Sequence, residues 1–240
     1  MAANVGSIYL IRHGQASFGA DDYDVLSPIG MRQAEVVGQH LCELDIRLDR
    51  CVSGDLRRQQ DTGKLALGQL SAAGVAVPAL ETDTAFNEFD AEAVIRNLLP
   101  ALLPQEPQAL QVMRNSAQHP AEFQRLFAKI IQRWTSGDYP VNGLVSWADY
   151  VQNVEAGLQR LLTSAQSTDN IAIFTSGGTI TALLRLITGI PADKAFELNW
   201  QIVNTSLSRL KFRANEVALA SFNSQLHLQL LKAPELITFR

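Results

Sequence analysis

Apolar positions along this chain switch between short unbroken runs and stripes with helical period. Residues 7–12 (Ser-Ile-Tyr-Leu-Ile-Arg) form an apolar run that stops at His13-Gly14, as a buried strand does. Ser27-Pro28 then opens a helix, with serine as N-cap and proline in the first turn. Ala34, Val37, Leu41 and Leu44 carry its apolar stripe. A second short strand is predicted at 50–53, a helix at 55–70 and an extended piece at 75–81. Prolines 100, 104, 107 and 120 break residues 91–145 into short helices. The clearest sets Phe123, Leu126, Phe127, Ile130, Ile131 and Trp134 on one face between Pro120 and Gly137.

Ser146 caps a helix with the stripe Trp147, Tyr150, Val151, Val154, Leu158 and Leu161. Residues 171–175 are another buried strand, ending at Ser176-Gly177-Gly178. The helix after it stops at Gly189 and Pro191. Residues 205–212 and 217–222 form a closing antiparallel hairpin. This alternation predicts an α/β fold: a three-layer sandwich whose mixed, mostly parallel sheet is flanked by helices. We read the chain as a single domain over 1–240, with 91–145 as a helical insertion or cap.

Composition narrows the function classes. Apolar residues make up 47% of the chain and charged ones 18%, which excludes a disordered chain. The net charge of −4 gives no support to nucleic-acid binding. Cys42 and Cys51 match neither a disulfide framework nor a zinc pattern, and no two histidines have metal-ligand spacing. No run is long enough for a membrane span, and the first residues lack the basic and apolar regions of a secretory signal. The expectation is a cytoplasmic protein with no metal, no cofactor, no nucleic acid and no membrane partner.

Two strands end alike. The run at 8–11 leads into Arg12-His13-Gly14, and the run at 171–174 leads into Ser176-Gly177-Gly178. Open α/β sheets bind ligands at such C-terminal strand ends, and the helix after Gly178 offers backbone N–H groups to an anion.

The segment Leu10-Ile11-Arg12-His13-Gly14-Gln15 resembles the Arg-His-Gly signature of the histidine phosphatase superfamily, which includes the cofactor-dependent phosphoglycerate mutases. Further segments follow in the family's order. Residues 26–34 resemble its Leu-Ser-x-x-Gly-x-x-Gln-Ala stretch. Ser53-Gly54-Asp55-Leu56-Arg57-Arg58 is similar to the segment with a second phosphate-binding arginine, which falls on Arg58 and leaves Arg57 at the surface. Phe86-Asn87-Glu88 resembles the motif of the general acid, placed on Glu88. Residues 171–178 and 223–228 fit the closing segments.

The resemblance implies metal-independent hydrolysis of a small or peptidic phosphomonoester through a phosphohistidine on His13. Arg12 and Arg58 would bind the phosphate, and Glu88 would protonate the leaving oxygen. Gln15, Ser17, Ser176 and Gly177 complete the implied phosphate-binding set. The residue types suit this chemistry: a neutral imidazole is a competent nucleophile, and guanidinium forks match phosphate oxygens.

Three positions depart from the family. Its second histidine is Ser176 here, an asparagine and a threonine fall on Gly19 and Ala16, and Val145-Ser146 replaces a Glu-Ser pair. These departures point to modest efficiency and keep a binding module without turnover as the main alternative. Mutase activity has no substrate-specific shell in the sequence. A serine hydrolase built on Ser176, Asp193 and His227 is a remote alternative, since Phe174 stands where a nucleophile elbow needs glycine. A P-loop is excluded by Ala20-Asp21 after Gly14 and Gly19.

His40, His119 and His227 are read as structural, His119 as a cap or an exposed residue. The acidic loop Asp21-Asp22-Tyr23-Asp24 is read as solvated. The insertion's basic residues (Arg96, Arg114, Arg125, Lys129, Arg133) are candidates for a substrate clamp, with most of them read as surface charges.

Overall fold

The computed structural model describes residues 5–17, 23–115 and 118–239. The elements run β1 (Gly6–Arg12), α1 (Pro28–Glu43), β2 (Arg50–Ser53), α2 (Arg57–Ala72) and β3 (Leu80–Thr82), then α3 (Ala91–Leu98), α4 (Ala109–Arg114), α5 (Pro120–Ser136) and α6 (Trp147–Ser164). They close with β4 (Asn170–Thr175), α7 (Gly177–Thr188), α8 (Ala192–Asn199), β5 (Leu207–Arg213), β6 (Glu216–Ser224) and α9 (Leu226–Gln229). The six strands form one sheet in the order β3-β2-β4-β1-β5-β6. β3, β2, β4 and β1 pair in parallel, and β5 and β6 are added antiparallel.

Alternation along the central strands explains the layers. Ile8 and Leu10 of β1, with Ile171 and Ile173 of β4, join a core with Val154 and Leu158 of α6 and Ile180 and Leu183 of α7. Tyr9, Ile11, Ala172 and Phe174 point the other way, onto Val37 and Leu41 of α1 and Ala66 and Leu70 of α2. Both faces of the sheet are covered, so its middle strands read as unbroken apolar runs.

The differences from the sequence reading have local causes. Leu44 leaves the α1 stripe because the helix ends at Glu43 and Leu44 is its exposed C-cap, while Val36 is buried against Val203 and Leu228. Of 75–81, only the end pairs as strand, in the short β3. α2 begins two residues late because Asp55 is held outside it by Asn87, whose Oδ1 accepts from Asp55 N–H at 2.8 Å. Among the described residues no helix is long and apolar enough to cross a membrane.

Candidate active site

His13 sits where β1 ends, and its backbone is held from three sides. Its N–H donates to Thr175 O at 2.8 Å, tying it to the end of β4. Asn204 Nδ2 donates to its carbonyl at 3.0 Å, and Gly14 N–H donates to Thr62 Oγ1 at 2.9 Å. Gly14 packs so closely on Gly30 that a Cβ there would run into the Gly30 carbonyl, so only glycine fits.

The ring's two hydrogen bonds determine its tautomer. Nδ1 lies 2.7 Å from Gly14 O, an atom that only accepts, so Nδ1 carries the proton. Nε2 accepts from Arg58 Nε–H at 3.2 Å. The imidazole is therefore neutral, with its lone pair on Nε2. Burial, Arg58 and Arg12 together hold its pKa well below the usual 6.5.

Arg58 is placed by the first turn of α2 and steadied by Asp24. Asp24 Oδ1 accepts from Arg58 Nη1 at 2.7 Å, and Oδ2 accepts from Arg57 N–H at 2.7 Å. This corrects the reading of Asp24 as a solvated charge: it orients the guanidinium that reaches His13. Tyr23 also departs from that reading, its ring lying 5.4 Å from Arg58 Cζ. Asp21, Asp22, Gly19 and Ala20 lie outside the described residues. Arg57 is exposed, with its Nε 3.6 Å from Asp61. Arg12 donates through Nη1 to Ile202 O, while its Nε is buried with no protein acceptor. A buried guanidinium N–H without an acceptor suits an anionic oxygen.

Glu88 follows the short turn Thr84–Phe86 and lies against the start of α7. Its Oε2 accepts from Gly178 N–H at 3.1 Å and its Oε1 from Phe89 N–H at 3.2 Å. The glycine at 178 is required, since a Cβ there would strike the Glu88 carboxylate and the Phe89 ring. Tyr150 fixes this loop from α6, donating to Asn87 O at 3.0 Å with Thr179 Oγ1 at 2.9 Å. Burial raises the Glu88 pKa above the usual 4.5, and the Gly178 N–H, Arg58 and Arg12 only partly oppose it.

Ser176 is fully buried, and its Oγ accepts from Gln59 Nε2 at 2.7 Å. It occupies the N-cap position of α7 without capping it through the side chain. Gln59 also donates to Phe86 O at 3.1 Å, while its Oε1 is buried without a partner. The sequence reading missed Gln59. Its signal was a glutamine within an otherwise buried helix face, next to the candidate arginine.

Gly177 packs on Asn199 beside Arg12. Gln15 Oε1 accepts from Ser27 Oγ at 2.8 Å, which ties the loop to the α1 N-terminus. Ser17 pairs its N–H with Val25 O at 2.8 Å.

Ser176, Asp193 and His227 do not form a hydrolase triad. His227 stacks on His40 with centroids 5.4 Å apart and has Thr205 Oγ1 at 3.5 Å, and Asp193 is exposed on α8. His227 is buried in the short α9, and His119 makes no side-chain cap bond at α5. Three of the insertion's basic residues are engaged elsewhere: Arg125 and Lys129 both pair with Glu106 at 2.6 Å, and Arg133 lies over Tyr139, while Arg96 and Arg114 are exposed. Among the described residues no three His, Cys, Asp or Glu side chains gather as a metal site.

A family model described as the histidine phosphatase superfamily (branch 1) matches residues 8–225. The serine/threonine-protein phosphatase Pgam5, mitochondrial, of Drosophila melanogaster is 32% identical over 123 residues, 50% of this chain and 40% of that protein. The Drosophila sechellia protein of the same name gives the same figures. The chain thus aligns with less than half the length of these relatives. Among solved structures, the phosphoglycerate mutase of Bacillus anthracis superposes with TM-score 0.64 at 17% identity, covering 95% of this chain and 97% of that one. Phosphoserine phosphatase of Entamoeba histolytica superposes with TM-score 0.62 at 18% identity, covering 93% and 99%. At these identities the structures establish a shared fold.

Proposed function

The chain belongs to the histidine phosphatase superfamily, branch 1, and from that membership we propose that it hydrolyses phosphomonoesters through a phosphohistidine on His13, without a metal. The observation that carries this reading is the His13 ring: neutral, protonated on Nδ1 and with Nε2 facing the Arg58 guanidinium. A phosphate arriving there competes for the Arg58 Nε–H and frees the Nε2 lone pair. The orphaned Arg12 Nε–H takes a second phosphate oxygen.

Nε2 then attacks phosphorus, and the bond from phosphorus to the leaving oxygen breaks. Protonated Glu88 gives its proton to that oxygen, a transfer its raised pKa favours. In the second half, Glu88 as carboxylate takes a proton from water. The water oxygen bonds to phosphorus, the N–P bond breaks and neutral His13 returns. The two guanidiniums stabilise the charge spread over the transferring phosphoryl group.

Efficiency should be modest. Ser176 offers one neutral hydrogen bond, worth about 0.5–1.5 kcal/mol, where a charged imidazolium offers about 1.5–3. If felt in the transition state, that difference is a factor of roughly ten or more. The burial of Ser176 under Gln59 favours a second reading, a phosphoester-binding module without useful turnover.

Hydrolysis of p-nitrophenyl phosphate in EDTA, by wild type and His13→Ala, separates the two. Turnover in wild type alone, with an acid-labile phosphoryl label on the protein, supports the enzyme. Equal background rates and no label refute it in favour of the binding module.

A further inference from the structure

The apolar face of α5 is only partly used by the core. Leu126, Ile130, Ile131 and Trp134 are buried, but Phe123 and Phe127, one turn apart, are left half-exposed and stacked with centroids 5.8 Å apart. Trp200, just beyond α8, stands edge-on to Phe127 at 5.6 Å and 82°. These three rings and Arg12 line one cleft of about 610 Å³. Tyr23, which lies against Arg58, lines it too, so the cleft touches neighbours of both phosphate-binding arginines. Its volume falls within the range of small-molecule sites.

The polar lining is neutral apart from two groups. Gln124, Asn199 and Gln201 bring amide residues to the lining, Asn199 Oδ1 already accepting from Thr181 Oγ1 at 3.1 Å. Among the described residues Arg12 is the one cation that lines it, and Glu92 is the one carboxylate. The other basic residues of α5 face elsewhere in pairs: Arg125 and Lys129 hold Glu106, and Arg133 covers Tyr139. A leaving group with its own carboxylate or second phosphate would meet Glu92 and, among the described residues, no cation beyond Arg12.

Resting on the phosphatase reading, we propose that this cleft holds the leaving group and selects small phosphomonoesters whose leaving group is neutral and carries a flat heteroaromatic ring. Aromatic faces take the ring by stacking, and the amides read its polar edge. The phosphate stays at Arg12, Arg58 and His13. Phe123 and Phe127 are therefore specificity residues, and the insertion serves as the wall that supplies them.

The test compares AMP with ribose 5-phosphate. Both are alkyl esters of the same ribose 5-oxygen, so leaving-group reactivity is matched and only the base differs. Base stacking predicts a kcat/KM for AMP roughly 10- to 100-fold higher, carried mainly by KM. Trp200→Ala and Phe123→Ser should each pull that ratio toward one. Two variants guard against a folding defect in either.

Equal kcat/KM for the two esters, or a preference for 3-phosphoglycerate or a phosphoserine peptide over AMP, overturns the proposal while leaving the phosphatase intact. Calorimetric titration of His13→Ala with both esters is the arm that does not depend on turnover. Tighter binding of AMP with no wild-type hydrolysis refutes the enzyme but supports the cleft. Equal binding refutes the cleft.

Discussion

Restoring a histidine at 176 tests whether Gln59 and Ser176 act as a coupled pair. Ser176 is fully buried with Gln59 Nε2 2.7 Å from its hydroxyl, so an imidazole there must displace the glutamine amide. Overfilling a packed site costs about 1–3 kcal/mol, and near this chain length each kcal/mol moves Tm by roughly 2–4 °C. Ser176→His alone should therefore lower Tm by roughly 2–12 °C. Gln59→Ala alone empties buried volume and leaves the Ser176 hydroxyl without its donor, so it destabilises as well. The combination gives the imidazole the vacated space, and the double-mutant cycle should show a favourable coupling of about 1–3 kcal/mol. A charged donor at the phosphate would then raise kcat roughly tenfold over the parent. Thermal unfolding of the four proteins gives the coupling, and phosphate release in EDTA gives the rates. A fully stable single Ser176→His, or effects that simply add, would refute the claim that Gln59 fills the space beside Ser176.

Three further outcomes follow from the same geometry. Asp24→Asn removes the charged partner of Arg58 Nη1 at a partly exposed pair, which should weaken phosphate binding by about 1 kcal/mol and raise KM roughly fivefold with a smaller change in kcat. If hydrolysis runs as proposed, with Glu88 protonated and His13 neutral, kcat/KM should rise from acid as His13 deprotonates below 6.5, then fall as Glu88 ionises above 4.5. Glu88→Gln should lose the falling limb at a much reduced rate. His227, held at a pKa of about 3 by burial and by His40, stays neutral in the fold while the unfolded chain takes up a proton below about 6.5. Stability should be unaffected above that pH and decline below it, by roughly 3 kcal/mol between pH 7 and 4. His227→Leu should flatten that part of the urea-unfolding profile.

Which parts of this molecule were legible in the sequence depends on whether their cause is local. β1 and β4 are apolar on both faces because helices cover both, so their runs could be read directly, as could the His13 and Ser176 ends they deliver. The Ser27 and Ser146 caps were equally visible, since a cap is a contact with backbone three residues away. β3 was not delimited, because its pairing to β2 is decided by the neighbouring strand rather than by its own exposed residues. Asp24 looked like one carboxylate in an acidic run, and only the fold brings α2 onto it. Gln59 reaches Ser176 across 117 positions, a distance no local pattern encodes. Phe123 and Phe127 matched the core stripe in spacing, yet the neighbouring elements leave that edge of α5 uncovered.

Burial moves both of the proposed reacting groups toward neutrality, which means lowering His13 and raising Glu88, and it is the largest influence on each. Arg12 and Arg58 reinforce burial at His13 and oppose it at Glu88, so a bound phosphate dianion changes the balance unequally. By offsetting the guanidiniums it removes part of what holds Glu88 down, the Gly178 N–H remaining, and adds its own repulsion, so the carboxyl should take up a proton as the substrate arrives. His13 is relieved of its cationic neighbours too and the same dianion draws its pKa upward, but burial, its largest influence, persists and keeps it a free base. Substrate binding would thus arm the acid without disarming the nucleophile. Vanadate, a phosphate mimic, should show net proton uptake when titrated calorimetrically in buffers of different ionisation enthalpy near pH 6, and Glu88→Gln should lose that uptake. Proton release, or uptake unchanged in the variant, would mean that the acid is charged by some route other than the substrate's own field.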